Sequence, residues 1–139
     1  MFGIIVGTHG IFAEEIVKSC EMICGAQTNV RTVTLVPGEG PDDVVKKYEA
    51  AIETLDCADG VLFLNDLFGG SPYNAACRLA ANNEKYGIVT GVNLPMVSAQ
   101  IIGGEYNILA LMEQAAEAGK NGTQIFHASI MEADEDDDL

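Results

Sequence analysis

At 139 residues, 48% of them hydrophobic and 20% charged, the chain can build one domain with its own core and is too apolar for a disordered segment. A formal charge of −14 argues against nucleic acid and anionic membrane as direct partners and allows a basic protein face instead. No apolar run approaches the length of a membrane span, and no basic residues precede the short apolar N-terminus, so a cytoplasmic location is expected.

Taken in order, Phe2-Gly-Ile-Ile-Val-Gly-Thr-His-Gly-Ile11 comes first. Residues 2–6 are apolar without alternation, which predicts a strand buried on both faces. Gly7 and Gly10 bracket a turn that holds His9. Phe12, Ile16, Val17, Cys20, Ile23 and Cys24 then recur at helical spacing, and Gly25 is a helix stop. Val30–Val36 predicts a second strand, and Pro37–Pro41 a loop. A second helix follows, with Pro41 near its first position and Val45, Tyr48, Ile52 and Leu55 on its buried face.

Gly60–Asn65 predicts a third strand. In the loop Asp66-Leu-Phe-Gly-Gly-Ser-Pro72, Ser71 is placed as N-cap and Pro72 as the first residue of a third helix reaching about Asn82. Gly87–Val92 is the fourth strand. Helical pieces Met96–Ile102 and Tyr106–Gly119 follow, parted by Gly103-Gly104, then a turn at Lys120-Asn-Gly122 and a last strand, Thr123–Ile130. The final eight residues hold six carboxylates, so 132–139 is expected to be a disordered acidic tail on a domain of residues 1–131. The four cysteines lack a CxxC pair and read as buried small apolar residues, with no metal site implied.

Strand–helix alternation implies an α/β fold with a doubly wound, mainly parallel sheet. In a flavodoxin-like order 2-1-3-4, strands one and three are neighbours whose chains leave towards opposite faces. That opens a crevice at their carboxyl ends, lined by the loops of His9 and Asp66. A carboxylate that accepts from one imidazole nitrogen leaves the other free as a nucleophile, and Asp66 can orient His9 in this way or simply cap the third helix. Helix N-termini after Gly10 and after Gly69-Gly70-Ser71 offer backbone N–H groups to a phosphate, and Thr8 and Ser71 add hydroxyls. No GxxxxGK[ST] and no complete GxGxxG is present. His127 lies outside any motif and reads as structural.

Three stretches, Ile4-Ile-Val-Gly-Thr-His-Gly10, Asp66-Leu-Phe-Gly-Gly-Ser-Pro-Tyr-Asn74 and Gly91-Val-Asn-Leu-Pro-Met96, together resemble the IIA component of the mannose-type sugar phosphotransferase system over roughly residues 1–130. The resemblance implies that His9 accepts a phosphoryl group on Nε2 from HPr and passes it to a IIB component, while Asp66 holds Nδ1. It matches Ser71 and the surrounding loop, with Gly69 and Gly70, to the family's phosphate cradle, and Asn93, Leu94 and Pro95 to a third wall; Thr8 and Gly10 flank His9 in the first matched stretch. It implies no cofactor, a membrane link only through IIC and IID, and an antiparallel C-terminal edge strand, here Thr123–Ile130, exchanged within a homodimer. The chain lacks the Pro/Ala-rich linker to a IIB domain and reads as a free-standing IIA. Two alternatives stand beside this: the phosphotransfer subunit of a dihydroxyacetone kinase, which usually has serine at the places of Thr8 and Gly10, and a flavodoxin-like ligand-binding or regulatory module without catalysis.

Overall fold

The computed structural model describes residues 1–102 and 107–130. Four strands, β1 (Phe2–His9), β2 (Val30–Leu35), β3 (Gly60–Asn65) and β4 (Tyr86–Thr90), pair in parallel in the order β2-β1-β3-β4. Among the described residues five helices alternate with or follow them: α1 (Phe12–Cys24), α2 (Pro41–Glu53), α3 (Ser71–Ala80), α4 (Leu94–Ile102) and α5 (Ile108–Asn121). The central strands are apolar because both faces are covered. All six residues of β3 and residues 3–8 of β1 are buried.

Strand parity divides the core in two. Ile4, Val6, Leu62 and Leu64 face α1, α4 and α5, where Ala13, Ile16, Cys20, Val97, Leu111 and Ala115 meet them. Ile5, Val33, Val61 and Phe63 face α2 and α3, against Val44, Tyr48, Ala75 and Ala76. On this second face Phe63 makes edge-on contacts with Tyr48, at 4.9 Å between ring centroids, and with Tyr86, at 5.8 Å. Such contacts are worth about 0.5–1.5 kcal/mol each beyond the area they bury. The chain leaves β1 towards one face and β3 towards the other, so their carboxyl ends form the switch point that the element order predicts.

Several expectations need correction. Thr123–Ile130 forms no antiparallel edge strand: α5 runs on to Asn121, residues 123–127 pair with nothing, and 128–130 begin a helical turn. A strand exists only by sharing backbone hydrogen bonds with a neighbour, and this segment meets none among the described residues. Its Ile125 and Phe126 stand 83% and 74% exposed. On α1, Phe12 and Ile23 lie outside the buried stripe, which runs through Ala13, Ile16, Val17 and Cys20. On α2 the stripe centres on Val44 and Tyr48, with Val45 at its margin. Only Cys20 of the four free cysteines is buried; the others are half-buried. The Gly103-Gly104 break, the start at Tyr106 and the acidic tail lie outside the described residues.

Candidate functional site

β1 delivers His9 to the carboxyl edge of the sheet as its last residue. Gly10 follows with φ +57°, a left-handed turn that favours glycine, and its N–H donates to Leu35 O of β2 at 2.8 Å. β3 ends at Asn65, so Asp66 leaves the neighbouring strand at the same edge. One carboxylate oxygen, Asp66 Oδ2, accepts from the His9 backbone N–H at 3.0 Å and lies 2.9 Å from His9 Nδ1.

A carboxylate can only accept, so in the neutral imidazole the ring proton lies on Nδ1 and the Nε2 lone pair is free. The His9 side chain is 45% exposed and that of Asp66 17%. The exposed imidazole thus rests on a half-buried anion, whose Oδ1 is buried and has no hydrogen-bond partner among the described residues.

The glycine loop closes over the other edge of the ring. Gly69 turns the chain with φ +83°. A Cβ on Gly70 would lie 2.8 Å from His9 Cε1 and 3.4 Å from Nε2. Gly70, not Ser71, is the N-cap of α3; Ser71 and Pro72 are its first two residues. The start of α3 therefore stands beside Nε2, where its unpaired N–H groups can meet an anion. Ser71 is half-buried, and its hydroxyl bonds to no group among the described residues.

The remaining candidates take other positions. Thr8 points into the opposite face from His9 and is fully buried, its Oγ1 accepting from Ala13 N at 2.7 Å. It caps α1, which begins three residues after His9. Asn93 has both ends of its side chain engaged: Oδ1 accepts from Met96 N at 3.0 Å, and Nδ2 donates to Gly119 O at 2.9 Å. It ties α4 to α5. Sequence reasoning missed the apolar rim, where Ile11, Phe12, Leu67 and Phe68 are 60%, 44%, 58% and 73% exposed within three residues of His9 or Asp66. It also missed the part of Asn65, a polar residue closing an otherwise apolar strand. That break in pattern was the available signal.

The family model described as the PTS system fructose IIA component matches residues 3–115. The PTS system mannose-specific EIIAB component of Escherichia coli K12 is 39% identical over 131 residues, which is 93% of this chain and 41% of that protein. The chain thus spans about two fifths of that relative's length. The PTS system fructose-specific EIIA component of Bacillus subtilis 168 is 37% identical over 97 residues, covering 70% of this chain and 66% of its own. Among solved structures, the mannose/sorbose specific IIA subunit of the phosphotransferase system from Enterococcus faecalis superposes with a TM-score of 0.83 at 25% identity, over 91% of this chain and 95% of that one.

Proposed function

The chain belongs to the family of phosphotransferase-system IIA components of the mannose and fructose type, and on that premise we propose that His9 is its phosphoryl acceptor, charged by HPr and discharged to a IIB component. The observation that carries this reading is the Asp66 Oδ2–His9 Nδ1 contact of 2.9 Å, with the Cε1–Nε2 edge of the ring turned to the start of α3.

The step balances without a cofactor. The Nε2 lone pair attacks the phosphorus of a donor phosphohistidine, the donor P–N bond breaks, and its electron pair returns to the donor ring. Phosphorylated His9 keeps its proton on Nδ1, where Asp66 offsets the charge gathering on the imidazole. The N–H groups of α3 and the Ser71 hydroxyl supply donors to the phosphoryl oxygens, and the glycines let backbone approach. Transfer to the IIB component is the same step in reverse, so one geometry serves both partners. The exposed rim of Ile11, Phe12, Leu67 and Phe68 gives them an apolar surface to cover. The acidic chain suits a basic face on HPr.

In this reading the protein works in the cytoplasm and reaches the membrane only through IIC and IID. No helix among the described residues is long and apolar enough to cross a membrane itself. It is a homodimer that exchanges residues 123–130, supported by the exposed Ile125 and Phe126 and by the outer edge of β4, which no strand covers among the described residues. None of the matches above points to the dihydroxyacetone kinase subunit or to the non-catalytic module.

The test incubates the protein with phosphoenolpyruvate, enzyme I and HPr and reads intact mass and the modified residue. One added phosphoryl group is expected on His9, labile in acid and stable in base. His9→Ala should stay folded and take up none. Label on His127, or undiminished label in His9→Ala, would overturn the assignment.

A further inference from the structure

Tyr48 belongs to α2, an element that contributes no side chain to the site, yet its hydroxyl ends beneath it. The residue is fully buried. Its O–H donates to Pro72 O at 2.9 Å and accepts from Asn65 Nδ2 at 2.9 Å. The second amide hydrogen of Asn65 goes to Gly7 O, also at 2.9 Å. Gly7 lies two residues before His9, Asn65 immediately precedes Asp66, and Pro72 lies two residues after Gly70. One phenol therefore ties together the three segments that carry the imidazole, the carboxylate and the helix end.

Two details set this apart from ordinary core packing. A Cβ on Gly7 would lie 2.1 Å from the Tyr48 hydroxyl, so a bare residue in β1 makes room for that oxygen. Asn65 is fully buried and uses both of its amide hydrogens while its Oδ1 has no partner among the described residues, so its place in the network depends on its donors. A phenylalanine would fill the same volume and keep the edge-on contact with Phe63. What the hydroxyl adds is the link between segments. Burial raises the phenol's pKa above its ordinary value, so the O–H remains a donor across neutral pH.

We propose that Tyr48 is a positioning residue for phosphoryl transfer: it fixes the ends of β1, β3 and the first turn of α3 at the spacing where Asp66 meets Nδ1 and Gly70 meets the Cε1–Nε2 edge of His9. The inference rests on reading His9 as the phosphoryl acceptor. Without the hydroxyl, Pro72 O loses its side-chain donor and the Asn65 side chain keeps a single anchor. The three segments then adjust independently. A sub-ångström drift of the ring is enough to slow a reaction that depends on alignment.

The test uses Tyr48→Phe and Asn65→Ala in the full chain, with Val61→Ala as control. Val61 is buried in the same core layer but at the opposite end of β3. Two readouts are taken: single-turnover labelling at saturating phosphorylated HPr, and the ring ¹⁵N shifts of His9, which report its tautomer. Both strut variants should fold, label about tenfold more slowly and shift the ring towards mixed tautomers. Val61→Ala should melt earlier yet keep both readouts. Wild-type rate and ring shifts in Tyr48→Phe and Asn65→Ala would overturn the proposal, as would an equal slowing in Val61→Ala. If Tyr48→Phe fails to fold, Asn65→Ala decides the matter alone. If the wild-type protein takes no label at all, the carrier reading falls, while the ring shifts still decide whether Tyr48 positions His9.

Discussion

His9 is held between a charge and a gap. Asp66 engages Nδ1, and the missing side chain of Gly70 leaves room for the opposite edge of the ring. Each neighbour can be altered without touching the histidine. Gly70 has φ −76° and ψ 171°, a conformation open to alanine, so Gly70→Ala should leave the fold intact. Its methyl, however, would sit 2.8 Å from Cε1 and push the ring off Asp66. Asp66→Asn keeps the size but can present its amide nitrogen to Nδ1, which selects the wrong tautomer. We expect both variants to melt near the wild-type temperature and to label at least about tenfold more slowly in single-turnover transfer. Wild-type rates would mean that the ring needs neither constraint. The pairing of His9 with Asp66 was legible in the sequence because both were read at the carboxyl ends of neighbouring apolar strands. Thr8 was not, because adjacent strand residues point to opposite faces and the parity places its hydroxyl under α1. Ser71 missed the cap by one residue: Gly70, which cannot cap with a side chain, takes that position and leaves the serine hydroxyl free.

At the scale of elements, strands and helices followed from apolar patterning, whereas the loops set the geometry of the site. The turn after β2 is an instance. Gly10 is held by Leu35 O, and the next residues are closed by Glu39, which accepts from Val36 N at 2.9 Å and from Lys47 Nζ at 2.6 Å. The lysine also donates to Thr34 O at 2.8 Å. Lys47 first, then the Val36 N–H, hold the Glu39 carboxyl below its ordinary pKa. A lowered folded-state pKa stabilises the protein fully above the unfolded value of about 4.3 and is lost as pH falls through the lower folded one. Glu39→Gln should therefore melt below wild type at pH 7, and the gap should narrow and close as pH falls through the lowered folded pKa. A gap that persists in acid would assign the effect to shape alone. The same reasoning explains what patterning could not read. Phe12 and Ile23 fit the period of α1 but fall beyond the area its neighbours cover. Periodicity reports a helix's apolar side, and tertiary packing decides how wide a stripe is buried.

For the whole molecule, the sheet order was legible because parallel strands joined by helices admit few arrangements, and the 2-1-3-4 order is one of them. The antiparallel strand expected at Thr123–Ile130 is not formed, because an edge strand needs a neighbour and the described residues of one chain offer it none. β4 has no strand on its outer edge among the described residues, and residues 123–127 run past α5 with Ile125 and Phe126 in solvent. An open edge and an unpaired apolar segment in one chain are complementary in two, since exchange closes both edges by the same contact. We expect light scattering at micromolar concentration to give twice the chain mass. Removing residues 123–139, beyond the end of α5, should give a monomer of lower melting temperature. Removing only 132–139 should leave the dimer intact. A full-length monomer, or a dimer that survives loss of 123–139, would reject strand exchange. Salt separates this contact from docking of the phosphoryl donor. Two chains of charge −14 repel one another, so added salt should tighten the dimer, whereas attraction between an acidic carrier and a basic donor face should weaken and transfer should slow. If both respond to salt in the same direction, one of the two contacts has been assigned the wrong chemistry.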